Sequence, residues 1–448
     1  MSQVFTVVFD MDGVVVDTVG HLYKAYLDIL TSFGAVGNRE EFECLNGARL
    51  SEIVSTLVFN HGLAGQEEAL RDHFSNRFEC LYEDVDLVDG VTDLLAQLRE
   101  RGMSICLASS AQRKHIDFVL SKFNLTAYFD VIVSGDDVAQ AKPNPEIYNL
   151  VKNQCKSDVY LVIEDSINGL ASAWFAGMVP IYYCPDRVIE NNYASYMVSS
   201  MALVIPSVLD QQAMIVQRSS RLTIIDSNEE KIPLALSEEV ENTWQRALLE
   251  NPRLFNDDVT MYKSHQVSAS GCIEVDVESI EYKHVLHSLL SSGTKNRVPL
   301  GVSGIVVDAN GDMLIGKRSH CVTEYRSCYE FIPSGGLPAN KFGSSAHLDQ
   351  ILVELYEESN VGPDDVGSVH TLGLILDVNN GVMDIAALVT LKSTLTIGPS
   401  RNAEYDDINF LTTDEVEELI RLNQVVPSVQ VLLNLLSTRR RQLISDTI

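Results

Sequence analysis

Asp10 and Asp12 stand two residues apart, directly after the apolar run 4–9. If that run is a strand, both side chains leave its carboxyl end on one side. In open parallel sheets, ligands bind at that end. Two carboxylates this close repel each other unless a metal or a proton intervenes. Three further segments carry complementary chemistry. Leu107-Ala108-Ser109-Ser110 ends an apolar run with hydroxyls and backbone N–H groups where a helix would begin, which suits phosphate. Ala141-Lys142-Pro143-Asn144-Pro145-Glu146 sets an amine ahead of a rigid Pro-x-Pro helix start. Val162-Ile163-Glu164-Asp165-Ser166, then Asn168-Gly169, closes another run with paired acids. Acid, hydroxyl, amine and acid at successive strand ends form the inventory of metal-assisted phosphoryl transfer.

A second constellation lies far downstream. Glu354, Glu357 and Glu358 fall at i, i+3 and i+4 and share one helix face. No lysine interrupts them, and a hard cation would relieve their repulsion. Upstream, Glu330-Phe331-Ile332-Pro333-Ser334-Gly335-Gly336 reads as a strand ending in a glycine pair that admits close backbone approach. Lys317 and Arg318 end another strand, where they face a diphosphate or cap a solvated hairpin; both readings stay open.

The elements that must position these groups follow from patterning. The run 4–9, then 104–108, 131–134 and 160–163, read as strands separated by helical segments, with a helical stretch 18–84 inserted after the first. That alternation predicts an α/β doubly wound parallel sheet. Segments 179–183 and 203–205 offer further strands. Near Pro206 the pattern changes, and 207–295 mixes short strands with a helix over 237–250. A β-rich unit starts near Pro299, where 301–307 and 312–317 flank Ala309-Asn310-Gly311, a hairpin signal. Arg439, Arg440 and Arg441 read as C-terminal charge on the last helix.

Composition narrows the function classes. The 448 residues are 46% hydrophobic and 21% charged, which excludes a disordered chain. A net charge of −29 opposes binding to nucleic acid or to an anionic membrane surface. The eight cysteines, with no Cys-x-x-Cys pair, read as reduced, packed thiols. No apolar run approaches the ~18 residues of a membrane span, and the chain is expected to be cytoplasmic. Oligomeric state is left open.

The ordered motifs Asp-x-Asp-Gly-Val, Ser, Lys-Pro-x-Pro-Glu and Glu-Asp-Ser-x-x-Gly resemble those of the haloacid dehalogenase superfamily, with phosphatases and β-phosphoglucomutases bearing a helical cap as the nearest likeness. The resemblance covers about residues 1–205. It implies that Asp10 is the nucleophile and Asp12 the general acid/base, with Ser109 and Lys142 holding phosphoryl oxygens. It also implies that Asp10, Asp12 (through its carbonyl), Glu164 and Asp165 hold Mg²⁺. Ser110, Arg49 in the Gly47-Ala48-Arg49 turn, and His21 are candidate substrate contacts. The helical insertion would close over a phosphate ester.

The second constellation resembles a Nudix box, with Val353 where an arginine is usual and Asn360 where a glycine is usual. Asn251-Pro252-Arg253-Leu254-Phe255, Val298 to Val302 and Gly316 to Ser319 are similar to Nudix hydrolases that split UDP-glucose and UDP-galactose. This resemblance spans roughly 215–435. It implies an α+β sandwich of α/β/α layers with an N-terminal extension, Mg²⁺ on Glu354, Glu357 and Glu358, and a nucleotide-sugar held near Gly335, Gly336, Lys317 and Arg318. The expected organisation is a core at 1–17 and 85–206, a cap at 18–84, an extension at 207–297 and a Nudix domain at 298–448. The expected function is a bifunctional Mg²⁺-dependent hydrolase. Two alternatives are a sugar-phosphate mutase in the first half, or a non-catalytic nucleotide-sugar sensor in the second.

Overall fold

Phe5–Phe9 (β1) forms the middle of a six-stranded sheet whose strands all run parallel. Its neighbours are Ser104–Ala108 (β2), Val131–Val133 (β3), Val159–Glu164 (β4), Val179–Tyr183 (β5) and Tyr196–Val198 (β6), in the order β3-β2-β1-β4-β5-β6. Val7, Val8 and Phe9, like Leu161, Val162 and Ile163, are fully buried in succession. Both faces of these strands are therefore covered, as apolar runs without alternation require. The chain leaves β1 toward β2 and β3, then returns to β1's other side with β4. This reversal opens a crevice at the strands' carboxyl ends.

The computed structural model describes residues 5–445 apart from 49, 186–188, 190, 227–237, 251–255, 292–297, 323, 340 and 398–403. Arg49, Ser237 and the segment 251–255 lie outside the described residues, as do the side chains of Arg439, Arg440 and Arg441. The chain divides into two units, 3–211 and 212–448. Among the described residues, no helix is long and apolar enough to cross a membrane.

Between β1 and β2 the first unit inserts the helices Val19–Ser32, Arg39–Leu45, Leu50–His61 and Glu67–Leu81. Their apolar faces meet in a separate core that includes Tyr26, Leu30, Phe42, Leu57, Leu70 and Phe74. Asn38 starts the second of these helices by accepting a hydrogen bond from the Glu41 N–H at 2.8 Å. Segment 203–205 is not a strand. Ser200 accepts from the Ala202 N–H at 3.3 Å and nucleates short helical turns over Met201–Leu203 and Ile205–Leu209. Pro206 has no N–H to give a ladder, and β6 takes the edge instead. All seven described cysteines are free thiols, but Cys44 and Cys321 are exposed rather than packed.

The second unit is built on a mixed sheet. Its strands are Ala213–Arg218 (β7), Leu222–Ile225 (β8), Asp258–Val267 (β9), Ile273–Glu281 (β10), Val298–Val307 (β11), Met313–Arg318 (β12), Tyr329–Phe331 (β13), Ser334–Gly336 (β14), Val366–Asp377 (β15), Val382–Leu391 (β16) and Tyr405–Leu411 (β17). The main path runs β7-β15-β16-β11-β9-β10-β8, with β12, β13, β14 and β17 branching from β11. The turn at Asn310-Gly311 forms as patterning predicts. Asp308 accepts from the Asn310 and Asp312 N–H groups, and Gly311 takes φ +92°. However, β11 and β12 pair only at Val307–Met313 and then diverge to different partners. Helix Ala346–Ser359 packs on β11, β14, β15 and β16, and helix Pro427–Ser445 packs on β7, β13 and β15.

Candidate active sites

In the first unit, four strand-end segments converge. Asp10 follows β1, Ser109 follows β2, and Glu164 and Asp165 end β4. Lys142 precedes the helix Glu146–Gln154 and reaches back beneath the sheet ends. Its Nζ donates to Asp10 Oδ1 at 2.6 Å, Glu164 Oε1 at 2.7 Å and the Ala108 carbonyl at 3.1 Å. Burial alone would discharge Lys142, but the Asp10 and Glu164 carboxylates offset this and hold its pKa well above the ordinary value. Glu164 is fully buried and accepts from four donors: Lys142, the Tyr148 hydroxyl at 3.0 Å, and the Ser166 N–H and Oγ at 3.1 and 3.0 Å. Its oxygens are thus taken up in fixing Lys142.

Burial pushes Asp10 up to about 8, against the Lys142 charge, and Asp12 up to about 6, against hydrogen bonds from Thr18 and Tyr82. Tyr82 donates to Asp12 Oδ2 at 3.2 Å. Asp165 is raised well above the usual range by burial and by Glu164, Asp10 and Asp12. Gly13, at φ +78°, leaves room for Asp165, whose Oδ2 would lie 2.2 Å from an added Cβ. Carboxylate oxygens of Asp10, Glu164 and Asp165 all lie within 4.8 Å of one another. Four carboxylates, counting Asp12, face one ammonium, so the donor set fits a hard divalent cation.

The helical insertion lies closed over these groups. Asn168 donates its amide to the Cys44 and Asn46 carbonyls at 3.0 and 2.9 Å. Asn46 donates to Asp165 Oδ2 at 3.3 Å. Ser110 donates to the Gly47 carbonyl at 2.9 Å, so its hydroxyl is engaged by the cap loop. A cavity of about 790 Å³ remains, lined by Asp10, Asp12, Ser109, Ser110 and Asp165 from the strand ends, by Gln112, Lys114, His115 and Asp136 beside them, and by side chains of the cap. His21 is exposed and does not line it.

In the second unit, helix Ala346–Ser359 ends at Asn360, whose φ of +63° is left-handed. Asparagine tolerates that conformation, so the position does not demand glycine. Val353 and Glu357 are exposed, whereas Glu354 turns inward and Glu358 is buried. Gly335 lies against Glu354, whose Cδ would be 2.3 Å from an added Cβ; Gly336 meets nothing. The Ser334 N–H donates to Glu358 Oε2 at 3.3 Å, and the Tyr405 hydroxyl sits 3.2 Å from Glu358 and 3.3 Å from Glu330. Burial, with Glu330 and Glu404 nearby, pushes Glu358 up to about 9. Arg318 is paired with Glu330 and with Glu404. Its charge is therefore met inside the fold rather than at a solvated hairpin end. Lys317 Nζ stands 5.6 Å above the Tyr329 ring. Among the described residues, Asp10, Glu164 and Asp165 are the one cation-sized group of acids. Glu354, Glu357 and Glu358 are not gathered in that way.

Several functional partners escaped the sequence reading. Tyr82 comes from the turn after the last cap helix, 70 residues from the Asp12 it serves, Tyr148 from the helix that follows the lysine motif, and Tyr405 from a strand after both glutamate segments. No spacing rule joins such pairs. Asn168 was visible inside a motif, but its role as a cap latch depends on where the insertion folds.

Comparison with known proteins adds family membership. The family described as haloacid dehalogenase-like hydrolase matches residues 7–182. The chain is 33% identical over 177 residues to the putative phosphatase YhcW of Bacillus subtilis (strain 168), covering 38% of this chain and 79% of that protein. It is 29% identical over 182 residues to a phosphorylated carbohydrates phosphatase of Thermotoga maritima, covering 39% of this chain and 83% of that protein. It is 26% identical over 181 residues to hexitol phosphatase B of Escherichia coli (strain K12), covering 39% and 82%. With its motif residues gathered at the ends of a parallel sheet, the chain belongs to the haloacid dehalogenase-like hydrolases, and its N-terminal unit is a phosphatase of that type.

Proposed function

We propose that residues 3–211 hydrolyse a phosphomonoester through an aspartyl phosphate on Asp10. The observation that carries this is the Lys142 ammonium 2.6 Å from Asp10 and 2.7 Å from Glu164, in a pocket closed by the cap. Asp10 Oδ attacks phosphorus, the ester oxygen leaves with a proton from Asp12, and Asp12 then takes a proton from the water that opens the acyl phosphate. Raising Asp12 to about 6 suits it to carry that proton in both directions. Ser109, buried at the end of β2, and Lys142 face the transferred group. Asp10 and Asp165, with the Asp12 carbonyl, would hold Mg²⁺, and Glu164 acts through Lys142. The cation supplies charge neutralisation on the phosphoryl oxygens. A hexitol phosphatase and a phosphorylated carbohydrates phosphatase are among the relatives. Phosphate released to water supports a phosphatase, whereas an isomeric phosphate ester recovered without inorganic phosphate would support a mutase.

The second unit supports a reading as a Nudix-type nucleotide-sugar diphosphatase. What favours it is Gly335 pressed against Glu354, in the order strand, glycine pair and glutamate helix. Because the three glutamates are not gathered around one cation, no metal-dependent step is assigned to them. The test uses the whole chain carrying Asp10→Asn, incubated with UDP-glucose, UDP-galactose and ADP-ribose with and without Mg²⁺. UMP formed only with the metal and lost in Glu357→Gln supports diphosphatase. Binding without cleavage supports a sensor instead.

A further inference from the structure

We propose that Tyr148 is a positioning residue for Lys142, keeping the ammonium between Asp10 and Glu164; this rests on the phosphatase reading above. An ammonium has three protons to donate. In Lys142 they go to Asp10, to Glu164 and to the Ala108 carbonyl. The Tyr148 ring faces the same buried nitrogen, with its centroid 5.1 Å from Nζ. That lies inside the ~6 Å over which a ring face attracts a cation, and the attraction grows where water is absent. The hydroxyl acts on the partner carboxylate. It donates to Glu164 Oε1 at 3.0 Å, the same oxygen that takes Lys142 at 2.7 Å. Shared between two donors, that oxygen draws the ammonium away from Asp10 less strongly.

Tyr148 also belongs to the apolar core beside β1, β2 and β4, together with Val8, Cys106, Val151, Tyr160 and Val162. Filling that core asks only for volume. Tyr148 differs from its neighbours in that its ring face and its hydroxyl both address groups beside the nucleophile. Tyr160 is the contrast within the same core. Its hydroxyl donates to the Cys155 carbonyl at 2.6 Å, and its ring lies 5.9 Å from Lys152 Nζ, away from the reacting groups. The two roles have different kinetic signatures. Lys142 meets the phosphoryl charge most strongly in the transition state, so an ammonium displaced toward Glu164 weakens that state more than the bound substrate. Such a loss appears in kcat at a steady KM.

The experiment measures phosphate release by the whole chain with Mg²⁺, using the best substrate from a panel of sugar phosphates, nucleoside monophosphates and acetyl phosphate. Tyr148→Phe keeps the ring and loses the hydroxyl, Tyr148→Leu loses both, and Tyr160→Leu removes a ring from the same core. Urea unfolding of each variant sets conditions in which all remain folded. Tyr148→Phe should lower kcat by roughly threefold to tenfold and Tyr148→Leu by about 10²-fold, each with KM within about twofold of the wild type. Tyr160→Leu should lose stability and keep its kcat. An unchanged kcat in Tyr148→Phe, or a loss in Tyr148→Leu no larger than that in Tyr160→Leu, would overturn the positioning role and leave the phosphatase reading intact. No phosphate released by the wild type from any substrate would overturn both.

Discussion

Gly169 stands so close to Glu164 that a Cβ on it would lie 1.7 Å from the Glu164 Oε1. The glycine is thus the floor on which the carboxylate rests, and the carboxylate in turn fixes Lys142 and Tyr148. Gly169→Ala should displace Glu164 and, with it, the ammonium beside Asp10. The expected outcome is a loss of about 1–3 kcal/mol in stability from overpacking. A fall of about 10²-fold in kcat should accompany it, the scale on which misplaced catalytic groups cost activity. Urea unfolding and phosphate release check the two parts. An alanine variant with unchanged kcat would mean that Glu164 does not govern Lys142.

Much of this site was legible in the sequence because each motif sits at the end of an apolar run. Strand direction alone then sends Asp10, Ser109 and Asp165 to one edge. Lys142 was legible as an amine in the right order, but its burial beneath the strand ends and its triple hydrogen bonding were not. Those depend on Glu164, Tyr148 and Gly169 packing together. The failure at 203–205 has a local cause: apolar content suggested a strand, and Pro206 with the Ser200 cap decided for helical turns. In the second unit the glutamate spacing correctly indicated one helix face. It did not show that Glu358 would be buried under Tyr405 while Glu357 stayed in solvent, because that depends on β17, far along the chain.

Asn168 ties the cap loop to the core through two carbonyls. Asn168→Ala should loosen that closure without touching either hydrophobic core. Hydrogen exchange over residues 44–48 should accelerate, and KM should rise by several-fold, since each such bond contributes roughly 0.5–1.5 kcal/mol. Global unfolding should shift little. Unaltered exchange in that loop would show that other contacts hold the cap shut.

His347 makes the second unit sensitive to acid. Burial holds its imidazole down at about 4, and it is neutral in the fold, with Nε2 2.7 Å from the Thr371 hydroxyl. A depressed folded pKa means that protonation favours the unfolded chain. Stability is therefore full above the unfolded value near 6.5 and is lost progressively as pH falls toward 4. Between pH 7 and 4.5 the wild type should lose about 2–3 kcal/mol relative to His347→Gln. Trp244 fluorescence during urea unfolding, in a Trp174→Phe background, reports on this unit alone. Parallel pH profiles for the two proteins would show that His347 is not the titrating group.

The central claim is that a phosphoryl group passes through Asp10, and rapid quench tests it most directly. The whole chain is mixed with Mg²⁺ and its best phosphomonoester, stopped in acid, digested and examined by mass spectrometry. The phosphoryl mass should appear on the peptide containing Asp10, and Asp10→Asn should neither acquire it nor release phosphate. A phosphoryl group on any other residue, or full activity in Asp10→Asn, would contradict the account.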